Sequence, residues 1–320
     1  MLTSSYEKYS KMITYYHKTK NEPNLSSLKA HKQGTWIYVQ DPKPTELDQL
    51  IEQFDLDEGH VYDALDVDEV PRFETEGKQH YIFTRYAVTN ATNQVETIPC
   101  LFIISKDQFI TISLKPLPKM EKLTQMGEGF STSQKTKLLL VILKSFVDRY
   151  EQLLTQTSRQ IKTTRTRLRV DKINNKDFIE FVIIEDELNE FMSALSPMNA
   201  ILHRLLTGKY IPLYDEDEDL IEDLVLANEQ SLESCRSNIK TIVSIREAYS
   251  TIAANNLNQV IKLLTSVTVI LTVPTIIASI YGMNVVLPLG SAQHGFSIII
   301  GCMVAFCLAL FILFKKNKWF

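Results

Sequence analysis

The chain has 320 residues, a formal net charge of −4, 45% hydrophobic and 22% charged residues. That length allows one large domain or two modest ones. The near-balanced charge, with no outstanding basic tract, excludes a nucleic-acid backbone as the main partner.

The opening MLTSSYEKYSKMITYYHKTK has no uncharged apolar core of signal-peptide length, so a cleaved secretion signal is not expected. Downstream, TWIYVQ, YIFTRYAV, CLFII and FITISL read as strands, with Lys106, Asp107 and Gln108 in a turn between the last two. Between the first two strands, PTELDQLIEQF reads as a helix in which Thr45 caps and Glu46 supports the first turn. DALDVDEVPRFE carries Asp63, Asp66, Asp68 and Glu69, but it lacks calcium-loop spacing and reads as a helix end and turn. Together these elements predict a cytosolic α/β domain over residues 1–132. Cys100 and Cys235 stand alone, no zinc-ligand spacing occurs, and a reduced, cytosol-facing chain is expected.

Residues 133–257 predict a long-helix and stalk region. Helices are expected from 133 to about 169 and from 176 to 206, with Arg165, Arg167 and Arg169 on a solvated face. Between Pro212 and Pro274 there is neither glycine nor proline. One helix through that interval would be roughly 90 Å long at ~1.5 Å per residue. Leu232, Cys235, Ile239, Ile242, Tyr249, Ile252 and Ala253 keep a three-to-four packing spacing, interrupted by Arg246. The acids at 215–219, with Glu222 and Asp223, complement the positive end of the helix dipole.

Residues 258–320 predict a two-span hairpin. Residues 260–280 carry one charge, Lys262, and 297–314 carry none. Both runs approach the ~20 residues that cross a bilayer. The alternative is a pair of buried helices in a soluble core, but Lys315, Lys316, Lys318 and Trp319 form the expected membrane exit and place the C-terminus in the cytosol. Two spans then put the N-terminus there as well, with the link at 285–295 outside.

Thr265, Thr268, Thr272, Thr275 and Ser279 recur at helical spacing, and Asn258 extends the row through Ile261. Such a stripe can serve close helix packing, its hydroxyls bonded back to their own carbonyls, or it can line a wet pathway. A pathway would need several copies around an axis. Pro274 bends the span and frees a carbonyl, which Thr275 is placed to help satisfy.

Tyr281-Gly282-Met283-Asn284 ends the first span, preceded by VPTIIASI and followed by a second span ending in KKNKW. This combination closely resembles the CorA family of divalent metal cation (magnesium/cobalt) transporters, the superfamily with a Gly-Met-Asn motif. The likeness is strong from Asn258 onward and diffuse in the cytosolic part. It implies a CorA-like funnel, a homopentamer in the plasma membrane, with the first span lining a central pore and the second facing lipid. Asn258, Ile261, Leu264, Thr265, Thr268, Thr272, Thr275 and Ser279 would line that pore. Asn284 would form a ring of amide oxygens at the outer mouth, with Gly282 allowing a backbone geometry and closeness that a side chain would obstruct. Neutral amides suit Mg2+, which dehydrates reluctantly. Mg2+ would be both the transported and the regulatory ion, with Co2+ and Ni2+ as further cargo and no other cofactor.

In gapless register from the tripeptide, Asp223 matches the family's stalk aspartate at a regulatory site, and Glu247 a lower pore-facing acid. The neighbouring domain's partner acid is not obvious, Glu96 being the nearest candidate. Many family members carry Met-Pro-Glu-Leu in the outer link; here VVLPLGSAQHG holds no acid. The zinc-transporting ZntB branch commonly has a glycine pair after the tripeptide, absent here, and stands as the alternative. A further alternative is a membrane-anchored sensor or scaffold without transport. An enzyme is not expected, since no phosphate-binding glycine loop, G-x-S-x-G or HExxH occurs.

Overall fold

The structure is a computed structural model. It describes residues 13–22, 24–90, 94–120, 130–170, 175–285, 287–288, 294–317 and 319, with side chains undescribed at 167–170 and 175–178. The opening segment up to residue 12, the side chains of Arg167 and Arg169, Lys318 and much of the outer link therefore lie outside the described residues. The chain forms two compact units, Met1–Ile242 and Val243–Phe320.

The first unit is built on a seven-stranded sheet: β1 (Ile13–His17), β2 (Ser26–Leu28), β3 (Trp36–Gln40), β4 (Arg72–Glu76), β5 (Gln79–Thr89), β6 (Val95–Ile104) and β7 (Phe109–Ser113). The order is β2-β1-β3-β7-β6-β5-β4. β3 and β7 pair in parallel, and the other neighbours pair antiparallel. Period-2 alternation sorts the apolar residues onto two faces. Ile37, Val39, Tyr81, Phe83, Leu101, Ile103, Ile110 and Ile112 pack with α1 (Pro44–Phe54) and α2 (Glu58–Asp63). Trp36, Tyr38, Ile82, Tyr86, Cys100, Phe102 and Phe109 pack on the opposite face with α3 (Lys135–Val170), α4 (Asn175–Leu206) and the start of α5 (Asp215–Tyr281). The result is a three-layer α/β/α arrangement, as the α/β expectation required.

Three strands lay outside the expectation. β1, β2 and β4 are short and partly exposed, and none shows the continuous apolar run of β6. The cap of α1 also differs. Lys43 occupies the cap position with Pro44 in the first turn, and the Lys43 amide donates to Glu46 Oε2 at 2.9 Å, so Thr45 lies inside the helix.

The acids of DALDVDEVPRFE serve structure. Arg72 pairs with Asp63, Glu69 and Glu74, and its guanidinium lies 3.9 Å from the centre of the Phe83 ring. Beside it, His60 Nδ1 is 2.6 Å from Asp57 and Nε2 is 2.8 Å from Glu74, with the ring stacked on Tyr81. Carboxylates only accept, so both ring nitrogens donate and His60 is held as the imidazolium. Burial of the ring opposes that charge, but the hydrogen bonds to Glu74 and Asp57 outweigh it and raise His60 above the ordinary histidine value. A raised folded-state value contributes stability that is full below about pH 6.5 and is lost as pH rises through the raised value. His60→Gln should therefore lower the thermal midpoint of the purified chain more at about pH 5.5 than at about pH 9. An equal loss at both would refute the charged pair.

Candidate functional site in the C-terminal hairpin

α5 starts at its acidic end: Asp217 is buried and its Oδ2 accepts the Tyr214 amide at 3.3 Å. From there the helix runs unbroken to Tyr281, with Pro274 inside it. Ile221, Leu224 and Val225 join the first unit's core, and Leu232, Cys235 and Ile242 are also buried. Ile252, by contrast, is 54% exposed.

In the second unit the last part of α5 meets α6 (Gly295–Lys316). Both helices contain a segment long and apolar enough to cross a membrane, and only 6% and 0% of those segments is buried. A helix in the core of a soluble protein would be mostly covered, so that alternative fails. Leu264, Leu271 and Ile312 are 66%, 63% and 63% exposed. An apolar surface of this kind calls for lipid or further copies of the chain.

One face of the spanning part of α5 is covered. Ser266 is fully buried, and Ile270, Val273, Pro274 and Ile277 are half-buried at three-to-four spacing. The matching row on α6 is Ile299, Met303, Cys307, Leu310 and Phe314. Proline has no amide hydrogen, so Pro274 leaves the Ile270 carbonyl without its helical donor. The Cys307 thiol supplies one, Sγ donating to that oxygen at 3.7 Å. This corrects the expectation for Thr275, whose hydroxyl donates to Leu271 O at 2.9 Å. The repair crosses between helices because the freed carbonyl faces the neighbour, whereas Thr275 faces away.

The hydroxyl stripe occupies the uncovered face, about half a turn from the seam at ~3.6 residues per turn. Thr265, Thr268, Thr272, Thr275 and Ser279 are all exposed. Thr268 donates to Leu264 O at 2.8 Å and Thr272 to Thr268 O at 2.7 Å. The back-bonding of the packing alternative is thus present, without the packing. With its proton committed inward, each bonded hydroxyl turns lone pairs outward, and a hydrated cation presents water hydrogens. Asn258, Ile261, Leu264 and Glu247 are likewise exposed on or near this side.

The helix ends in a tight turn. Gly282 N donates to Ala278 O at 3.0 Å, Met283 N to Ile280 O at 3.2 Å, and the Tyr281 hydroxyl to Pro288 O at 3.2 Å. Asn284 follows, exposed, its amide unengaged among the described residues. Gly282 lies in this turn. Its φ is not left-handed, and an added Cβ would sit 3.4 Å from Ala278 O and 3.5 Å from Ser279 O, an ordinary contact. Among the described residues of one chain, none demands glycine there.

Asp223 is exposed on α5, far in sequence from Glu247. Among the described residues no group of three or more His, Cys, Asp or Glu side chains could hold a metal ion. The candidate partner Glu96 is paired with Lys115 in the same chain. Sequence reasoning missed the Cys307 contact and the Tyr281–Pro288 tether; Pro274 flags the freed carbonyl, but the partner depends on how the two spans pack.

The family description CorA-like Mg2+ transporter protein matches residues 31–316. The chain belongs to the CorA-like Mg2+ transporter family. It is 25% identical over 299 residues to the cobalt/magnesium transport protein CorA of Methanocaldococcus jannaschii, covering 89% of this chain and 90% of that protein. Its fold is similar to the complete structure of the CorA magnesium transporter from the same organism, with a TM-score of 0.85 and 21% identity over 97% of this chain and 99% of that one. The cytoplasmic domain of ZntB from Vibrio parahaemolyticus shares the fold at a TM-score of 0.63 and 10% identity, covering 77% of this chain and 100% of that one. Like its family, the chain is a membrane transporter for divalent cations, with an N-terminal α/β domain, a long helix and two C-terminal apolar helices.

The seam generates a test. Cys307→Val keeps the size but removes the donor, and should destabilise the hairpin by about 1 kcal/mol, whereas Cys307→Ser retains a donor and should cost less. Thermal unfolding in detergent reads both. Equal midpoints for the two variants would remove the thiol from the account.

Proposed function

We propose that five copies of the chain form a passive pathway for Mg2+, with Co2+ and Ni2+ as further cargo, driven into the cell by the membrane potential. The observation that carries the reading is the placement of the hydroxyl stripe on the face of α5 that α6 leaves open, ending at the exposed Asn284, whose amide has no partner among the described residues. Around a five-fold axis the stripe of each subunit would face inward and α6 would face lipid. A ring of Asn284 amides would hold the ion's water shell without stripping it. Closeness of five chains at the mouth would also give Gly282 the role that one chain does not. Ile261 and Leu264 form the hydrophobic constriction in this reading, and Asn258 a polar ring at the inner end.

Both termini and the first unit lie in the cytoplasm, and the working division is residues 1–132, 133–257 and 258–320. Moving two charges through −100 mV yields about 4.6 kcal/mol, so uptake requires no nucleotide hydrolysis. Cytosolic Mg2+ held between subunits by Asp223 and a neighbouring acid closes the pathway; when the ion leaves, repulsion between carboxylates favours opening.

Proteoliposomes with an inside-negative potential test the pathway. Mg2+ uptake should be lost in Asn284→Ala with assembly intact. Unchanged flux would reject the amide ring and leave a sensor or scaffold, while Zn2+ uptake following a pH gradient with little Mg2+ entry would move the chain to the ZntB branch. In the same vesicles loaded with Mg2+, Asp223→Asn should keep conducting where the parent protein closes. Closure at the same internal Mg2+ would refute the regulatory role.

A further inference from the structure

A cavity of about 770 Å3 in the first unit is lined by residues that the transport reading does not use. Three local structures build its wall. The β4–β5 hairpin pairs Glu76 with Gln79, leaving Gly77 and Lys78 as a two-residue loop that Gly77 permits through its φ of +56°. Lys78 stands at the tip of that loop. In the β6–β7 turn the Ser105 amide donates to Gln108 O at 3.1 Å, which projects Lys106. α3 begins at Lys135, and the first amides of a helix have no intrahelical acceptor.

The lining is unbalanced in charge. Lys20, Lys78, Lys106, Lys135 and Lys137 face one lining carboxylate, Asp217, which is committed to the Tyr214 amide. Lys137 is neutralised by Glu216 at 2.6 Å on the rim, where Asp215 also stands. Among the described residues the other four lysines have no carboxylate in ion-pair contact. Lys135 is the most telling. Its ammonium donates to the carbonyls of Ser105 and Lys106, with Asp107 acting from further away. Burial lowers its proton affinity and exceeds the help from Asp107. His80, also in the wall, is lowered by burial and by Arg204, so it adds no acid-compensating demand of its own.

A half-buried cation held only by carbonyls, beside an open cavity and a helix start, is completed by an anion. The lysines come from four separate segments and converge on one cavity, an arrangement that suits the several anionic groups of a phosphate chain. The volume suits a nucleotide-sized ligand, and the rings of Tyr210 and Tyr214 line the same space. We infer that this cavity binds a polyphosphorylated small molecule, its phosphate chain spanning Lys78, Lys106 and Lys135 at the start of α3. The inference does not rest on the transport reading.

The test is calorimetric titration of the full chain in detergent, in metal-free buffer at about 0.15 M salt so that chelation cannot mimic binding. Sodium tripolyphosphate, ATP and sulfate are the probes. Saturable binding of tripolyphosphate is expected, about tenfold or more tighter than sulfate, and weakened about tenfold or more by Lys78→Glu or Lys106→Glu. Both changes lie on exposed hairpin tips, and unchanged thermal midpoints without ligand verify the fold. ATP binding no tighter than tripolyphosphate assigns recognition to the phosphate chain; tighter ATP adds the tyrosine wall. Absence of saturable tripolyphosphate binding, or binding that neither reversal weakens, overturns the site.

Discussion

The architecture depends on a helix that does not break between Asp215 and Tyr281. Water can complete an interrupted backbone over the first part of that length, but hydrocarbon cannot over the last. The composition meets the stricter rule throughout, with no glycine or proline from residue 213 to 273. The one exception, Pro274, falls where a second helix can repair it. The same element therefore contributes Ile221 and Leu224 to a protein core and Leu264 and Leu271 to an apolar exterior.

Division of labour around α5 follows from its faces. Small and β-branched residues at Ser266, Ile270, Val273 and Ile277 receive α6, and the threonines are left on the other side. Back-bonding removes the usual objection to hydroxyls in a membrane span, because the proton already has an acceptor. What is left outward is an oxygen surface without formal charge. Such a surface can hold the water of a divalent ion loosely enough to release it, which a row of carboxylates would not do.

Much of this was legible in the sequence because it rests on long, periodic signals. The spans, the continuous helix and the stripe were read from composition and spacing alone, and strands such as CLFII from their unbroken apolar character. β1 and β2 were not, since ITYYH and SSL carry little apolar signal and acquire their role from the strands beside them. The Thr45 cap gives way to Lys43 because a proline in the first helical turn fixes the start two residues earlier than the threonine suggests. Adjacency to Pro274 in sequence points to Thr275 as a help to the freed carbonyl, while the actual donor is Cys307 on the other helix. The chemistry proposed between copies, at Asn284, Gly282 and Asp223, is not written in the contacts of one chain, and only family resemblance points to it.

The stripe has one more consequence. From Leu263 to Ile280 no side chain carries an acid or a base. A conduit walled by that segment, as proposed, would keep the same electrostatic character from acidic to alkaline solution, and its preference for cations would come from the orientation of fixed dipoles and not from protonation. Any dependence of permeation on proton concentration would then originate outside that wall.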